Sequence, residues 1–407
     1  MKTYIFICIT IAGVGGAQIY TRNKANYLKS KGWNVVVFSF TQRPIYIQDL
    51  KQYQDGIFEV LNIPSYFYTK NQQTKILNSL VAQVDKSEEY IIECHAVMLS
   101  SWAELLAKRL GGRHFLYSLD EKPKVYSFIR DYLNFKLKRN EFYSITPETV
   151  QLAFPQINSK EEAERHHLQA FCSNAIENVD DSHIGIKFEN GIKIGIFGRI
   201  NKDYVLPMTG DLIQYIKEHK SIFFNIVYIG DSPYPLDRVK LKKLFDGIPN
   251  VKMSITGYLS PVPNSFMNKF DFFISSAGSA MATYRRGFLT VSISGYTYKS
   301  NGILGYQTDK SLTEDEHQYE LKESLDDLII LKKYEKKEVQ IPPIDYDYWF
   351  MPHIDKMQLS IIHNEKKYYN LSYLDLPIKY KLMRIITSFL GPDLSSKLKD
   401  TIYKIKR

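Results

Sequence analysis

Residues Thr10 to Gln18 read TIAGVGGAQ, a glycine-rich turn set between two kinds of apolar pattern. Before it, Tyr4-Ile5-Phe6-Ile7-Cys8-Ile9 is unbroken and apolar, as a strand buried on both faces must be. After it, Gln18 to Gly32 spaces Ile19, Ala25, Tyr27 and Leu28 as a helical face and ends on Lys29-Ser30-Lys31-Gly32, with cations in the last turn and a glycine stop. Asn34 to Phe40 (NVVVFSF) reads as a second strand. The opening segment thus predicts a βαβ unit with glycines at the carboxyl end of its first strand. Backbone N–H groups and the positive end of a helix converge there, so ligands bind at such turns in open α/β sheets. Two plainer readings cover part of the stretch. Met1 to Ala17 could be a secretory signal peptide, although cleavage would remove the first strand; alternatively, the glycines only let helix and strand approach closely.

The glycine spacing excludes two common phosphate motifs. A dinucleotide fingerprint needs G-x-G-x-x-G and an acid closing the second strand. Here Gly13-Val14-Gly15-Gly16 runs into Ala17-Gln18, and the second strand ends Ser39-Phe40-Thr41. The Gly-Lys-Ser/Thr of a Walker loop is also absent. Length and composition agree with two cores: 407 residues, 44% hydrophobic and 24% charged. No run approaches the roughly 20 apolar residues of a membrane span. Cys8, Cys94 and Cys172 are scattered, without metal spacing, and their odd number favours a reducing compartment. The expected location is the cytoplasm.

Elements alternate through the rest of the chain. Glu89 to His95, Phe115 to Asp120 and Phe142 to Pro147 read as strands, with a helix from Ser101 to Gly111 between the first two. His95 and Asp120 close their strands. The polar stretch Asn178 to Asn190 reads as a domain boundary. Beyond it, Ile192 to Ile200 (IKIGIFGRI) restarts the strand–glycine pattern, and Asn225 to Asp231, Val251 to Tyr258 and Asp271 to Ser276 continue it. The net charge of +9 is concentrated in Ile378 to Arg407, where eight basic residues face two aspartates. Leu382, Ile385, Ile386, Phe389 and Leu390 make one apolar helix face in that tail. Such a helix binds an anionic membrane surface, or packs on its own domain with the basic side in water.

In order and wording these motifs resemble glycosyltransferases of the two-Rossmann-domain (GT-B) type, family four in particular. Gly15-Gly16-Ala17-Gln18, Leu28-Lys29-Ser30-Lys31-Gly32-Trp33 and Val35-Val36-Val37-Phe38-Ser39 match the family's amino-terminal loop, helix end and second strand. The resemblance implies an α/β fold of two Rossmann-like domains facing a cleft, with a basic helical C-terminal tail. It implies an acceptor domain over 1–180, a nucleotide-sugar donor domain over 190–350, and a helical extension over 351–407 that packs on the first domain or on a membrane surface. His95 and Asp120 become candidate catalytic residues, though a polar residue at a strand end also serves as a cap. Gly15, Gly16, Arg199, Lys202, Gly230, Tyr258, Ser276, Gly278 and Ser279 become candidate donor-binding residues. Arg199 matches the family's Gly-Arg after the first strand of its nucleotide domain; Lys202 follows sooner than the family lysine does.

One motif departs from the family. The glutamates of E-x7-E are missing: the second one's place falls on Ala282, and no acid lies between Asp271 and Thr308. The Ser276, Gly278 and Ser279 loop still offers an anion nest at a helix start, with Arg285 and Arg286 further along. Some bacterial capsule and surface-polysaccharide transferases look like this. The implied activity is metal-independent transfer of a sugar from a nucleoside-diphosphate donor, the co-substrate, to a glycan or lipid-linked acceptor, without a resident cofactor. The implied place is the cytoplasmic face of the membrane, reached through 378–407; no nucleic-acid partner is expected. A non-catalytic GT-B relative acting as a scaffold, or a nucleotide-sugar 2-epimerase, are the other readings.

Overall fold

The computed structural model describes every residue except 42, 121, 173–175, 337–343, 364–367 and 406–407. The chain forms two compact units, Met1–Ala12, Tyr20–Phe171 and Ile344–Arg407 in one, and Gly13–Ile19 with Cys172–Pro343 in the other. The division after Phe171 comes before the polar stretch expected to mark it. The reason is a short strand, Ile176–Glu177 (β6 below), which pairs within the second unit. The passage back to the first unit runs through 337–343, outside the described residues.

The first unit is built on five parallel strands: β1 Lys2–Cys8, β2 Asn34–Ser39, β3 Glu89–Cys94, β4 Arg113–Ser118 and β5 Phe142–Ser144. Their order is β2-β1-β3-β4-β5, so the sheet reverses direction of growth between β1 and β3. The apolar run of β1 is buried from Thr3 to Cys8, and all of β4 is buried, as helices on both faces demand. Trp102, Leu106, Ile5, Ile92, Leu116 and Leu133 belong to the resulting core. Between Gln48 and Phe67 the chain takes three 3-10 segments, Gln48–Gly56, Glu59–Asn62 and Ser65–Phe67, and no strand or α-helix. The strand expected to reach Asp120 stops at Ser118, and the first helix runs Gly16–Ser30, so Gly16 opens the helix instead of standing in the turn.

The second unit adds β6 Ile176–Glu177, β7 Ile192–Phe197, β8 Phe224–Ile229, β9 Val251–Ile255, β10 Val262–Pro263, β11 Phe272–Ser275, β12 Thr290–Ile293 and β13 Ser300–Ile303. Its main sheet has the order β13-β12-β11-β7-β8-β9, with only β13 antiparallel; β6 and β10 pair separately. This is the doubly wound Rossmann order, and its switch point lies between β7 and β11. Apolar clusters lie around Ile196, Leu212, Ile226 and Ile274, and around Phe197, Val227, Phe266 and Phe273.

The carboxyl-terminal helices belong to the first unit. Helix Tyr346–His363 is tied there by Tyr27, whose hydroxyl donates to Asp347 over 2.7 Å, and by the Lys31–Asp347 ion pair. The tail is helical over Ile378–Ile405 but breaks at Gly391-Pro392, where Gly391 has φ +77°. Of the expected basic tail, Lys406 and Arg407 lie outside the described residues. Among the described residues no helix is long and apolar enough to cross a membrane.

Candidate functional site

The second unit gathers most of the expected donor-binding residues around the ends of β7, β8, β9 and β11. The segment Gly13–Ile19 is part of this unit. A Cβ on Gly15 would lie 3.7 Å from the Arg199 side chain, and one on Gly13, which has φ +77°, would lie 3.8 Å from the Tyr258 hydroxyl. A Cβ on Gly198 would lie 3.5 Å from Ser279 Oγ. Arg199 follows β7, Gly230 follows β8, and Ser276, Gly278 and Ser279 follow β11, so they flank the switch point where such sheets bind ligands. Lys202 lies in the same loop as Arg199, its backbone N–H directed at the Arg199 carbonyl over 3.4 Å.

The helix after β11, Ala277–Tyr284, starts without a side-chain cap: Ser276 is its N-cap residue, but its Oγ turns to the Ser311 carbonyl at 3.5 Å. The Ala277 N–H also meets the Ser311 carbonyl, so what this helix start offers an anion is its positive dipole end. Ala277 has φ +53°, a conformation that costs a residue with a Cβ about 1–2 kcal/mol and that gathers at functional loops. Arg286 does not face a ligand, because its guanidinium donates to the Ile176 carbonyl of β6; Arg285 is exposed.

Two groups here were not singled out from the sequence. Asn201, two residues beyond Arg199, has a buried Oδ1 without a hydrogen-bond partner among the described residues, an acceptor a bound ligand could satisfy. Asp231, two residues beyond β8, is gripped by Arg238, whose Nε donates to Oδ1 over 2.6 Å and whose second nitrogen reaches Oδ2. Both partners lie against Gly257: a Cβ there would meet them at 3.7 and 3.8 Å. Sequence proximity to Gly198-Arg199 was the available signal for Asn201. Nothing in the sequence pairs Arg238 with Asp231, seven positions away.

The first unit holds His95 and Asp120 at the ends of neighbouring strands, where the Leu119 N–H reaches the His95 carbonyl at 3.4 Å. Asp120 is exposed, two residues beyond β4, and accepts from the Lys122 backbone N–H at 3.1 Å. His95 is instead buried in a polar cluster. Its Nε2 lies 2.8 Å from Glu93 Oε1, and the other Glu93 oxygen receives Lys24 Nζ at 2.5 Å, with both Lys24 and Glu93 fully buried. The Tyr4 and Tyr20 hydroxyls also donate to Glu93, at 2.5 and 3.0 Å. His353, from helix Tyr346–His363, turns Nδ1 to Lys24 at 3.3 Å and Nε2 to the Gln169 carbonyl at 3.0 Å.

Burial works against charge on Glu93, yet Lys24 and His95 outweigh it and hold its carboxyl below the ordinary range. Burial also works against charge on His95, but Cys8 and Glu93 outweigh it and raise its pKa to about 9. His95 is therefore an imidazolium at neutral pH, with no lone pair free to act as a base. Held in this way, the ring carries a fixed charge. His353 is held neutral, with a pKa near 3, by burial and then by Lys24. A second cluster holds His114 at about 4 by burial and then Lys136; His114 Nδ1 is 2.9 Å from Glu104.

These shifts give the first unit a pH-dependent stability. An unfolded histidine takes a proton below about pH 6.5, and folded His114 and His353 refuse it, so stability present above that pH is lost as pH falls. His95 has the opposite sign: its contribution is complete below about 6.5 and is lost as pH rises through 9. Each neutral histidine costs about 2 kcal/mol by pH 5, offset by about 1 from His95, for a net loss of about 3 kcal/mol between pH 7 and 5. Trp33, Trp102 and Trp349 all lie in the first unit, so urea unfolding followed by tryptophan fluorescence measures it. Equal stability at the two pH values would contradict these environments.

No protein-family model matches the chain, and no curated protein does. Solved structures do. The Anabaena Alr3699/HepE structure, in complex with UDP and glucose, is 15% identical, with 88% of this chain and 98% of that one covered and a TM-score of 0.53. A putative UDP-N-acetylglucosamine 2-epimerase from Listeria monocytogenes is 11% identical, covering 91% and 100% at a TM-score of 0.48. The lipopolysaccharide outer core galactosyltransferase WaaB in its apo form is 12% identical, covering 95% and 99% at 0.41. At such identities the likeness to HepE speaks for the fold, and the chain shares that α/β fold with its parallel sheets.

Proposed function

We propose that this chain is a glycosyltransferase that moves a sugar from a nucleoside-diphosphate donor to a bacterial surface glycan or a lipid-linked oligosaccharide, without a metal ion. The observation that carries the reading is Arg199, set beside the Gly13–Gly16 turn at the switch point of a Rossmann sheet, with an uncapped helix start across from it. The fold is shared with a structure solved in complex with UDP and glucose, which is the ligand chemistry this arrangement suits.

The chemistry follows from charge. As the bond between the anomeric carbon and the diphosphate oxygen breaks, negative charge grows on the departing nucleoside diphosphate. The Arg199 guanidinium and the positive end of helix Ala277–Tyr284 stabilise that charge where a metal would otherwise be needed. Lys202 adds a second cation in the same loop, and Asn201 Oδ1 accepts from a donor hydroxyl. Tyr258 and Gly230 border the nucleoside end. The acceptor hydroxyl forms the new bond to the anomeric carbon and passes its proton to the departing diphosphate oxygen.

Incubation with a panel of nucleotide sugars in EDTA, with and without glycan acceptors, tests this. Release of nucleoside diphosphate together with a lengthened acceptor is expected. Epimerised donor with no transfer would favour the 2-epimerase reading, tight binding without turnover a scaffold. Activity lost in EDTA and restored by manganese would sink the metal-free mechanism. Arg199→Ala should weaken nucleoside-diphosphate binding by about 1.5–3 kcal/mol in calorimetry, the range for a charge-assisted contact. Unchanged affinity would return Arg199 to a surface role.

A further inference from the structure

The tail helix turns its apolar side away from the unit it is attached to. Leu382, Ile385, Ile386 and Phe389 follow helical spacing; Phe389 is 94% exposed and each of the others is more than half exposed. Ile378 before them and Leu394 and Leu398 after the Gly391 break are exposed as well. The side that meets the first unit is small and polar. Thr387, Ser395 and Ser396 are its buried residues, the Thr387 hydroxyl donates to the Phe67 carbonyl at 2.5 Å, and Ser396 Oγ donates to the Glu59 carbonyl at 2.9 Å. A helix that only covers a core does the reverse, burying its apolar stripe and wetting its hydroxyls.

The surroundings indicate what covers this face. Lys379, Lys381, Arg384 and Lys397 are exposed on the same helix, against Asp393. At its start Tyr380 packs on Phe128 and Tyr126, ring centroids 4.9 and 6.0 Å away, and Tyr126 is about half exposed. Apolar side chains flanked by cations, with tyrosines at the margin, are the composition of an interfacial helix lying in the headgroup region of a bilayer. A second copy of the chain would set these cations against their like.

We infer that residues 378–398 form a docking face for an anionic lipid surface. Leu382, Ile385, Ile386 and Phe389 enter the acyl boundary, the lysines and Arg384 lie at the headgroups, and the Thr387 and Ser396 contacts keep the first unit seated above. The inference stands on this helix alone and holds whether or not the second unit binds a nucleotide sugar.

Flotation of the full chain with vesicles tests it, using phosphatidylcholine alone and phosphatidylcholine mixed with phosphatidylglycerol, at low and physiological salt. Flotation with the mixed vesicles only, weakened by salt, is the expected result. Phe389→Asp should lower the partition coefficient by at least about tenfold, from the apolar side chain withdrawn. Lys379→Gln with Arg384→Gln should lower it by about thirtyfold, since each cation near the surface contributes on the order of 1 kcal/mol. All three side chains are exposed, so the unfolding curve should not move. Failure of the parent chain to float with phosphatidylglycerol vesicles, or indifference to Phe389→Asp, overturns the inference. So does a dimer in sedimentation that Phe389→Asp dissolves, because a second copy would then cover the face.

Discussion

Replacing Glu93 by glutamine should destabilise the first unit by about 3–5 kcal/mol, the cost of leaving buried cations without their counter-charge. Among the described residues Glu93 is the carboxylate paired with Lys24 and His95, and it also accepts from Tyr4 and Tyr20. A glutamine keeps the size but presents an amide nitrogen toward groups that are all donors, so hydrogen bonds fail along with the ion pair. The expected readout is a lower urea midpoint in tryptophan fluorescence. A double variant, Glu93→Gln with Lys24→Met, should recover a good part of the loss, because removing both members of a buried pair is far less damaging than removing one. A loss below about 1 kcal/mol for Glu93→Gln would mean that water reaches the cluster and that the charges on Lys24 and His95 are not held as described.

Gly230→Ala should be as severe, and in the other unit. Gly230 has φ +150°, and a Cβ on it would lie 2.0 Å from the Gly198 carbonyl oxygen and 2.8 Å from its carbon. Both atoms are backbone, so no rotamer change relieves the clash and the loop carrying Arg199 must move. A destabilisation of more than about 3 kcal/mol is expected, or, where the unit still folds, loss of nucleoside-diphosphate affinity beyond that of Arg199→Ala. Circular dichroism melting and calorimetry on the same sample separate the two outcomes. Native stability together with native affinity would show that β8 and β7 do not meet through this glycine.

What the sequence discloses depends on how local the determinant is. The fully buried parallel strands are continuous apolar runs, and β1 was legible for that reason: Tyr4 to Cys8 is apolar throughout and buried throughout. The turns after β1, β7 and β11 were legible from glycine and serine placement. The stretch Gln48–Phe67 matches neither the strand nor the α-helix period because its 3-10 segments repeat every three residues and are interrupted twice. His95 stands out in the sequence, but its neighbours do not: Lys24 and Glu93 are 69 positions apart, and His353 is 329 from Lys24, so their meeting is a property of the sheet and of the returning helix. The same distance hid the orientation of the tail. Its apolar stripe is plain in the sequence, but which side meets the unit is decided by the carbonyls of Glu59 and Phe67.

In the function proposed above, the carboxyl ends of β7 and β11 hold a nucleoside diphosphate. Amide hydrogen exchange of the full chain, with and without UDP, tests it most directly, because it reports both binding and place. Slower exchange over Gly198–Lys202 and over Ser276–Ala280, with little change in the tail helix, is the predicted result. No protection under any nucleoside diphosphate, or protection that leaves both of these loops untouched, would contradict the account.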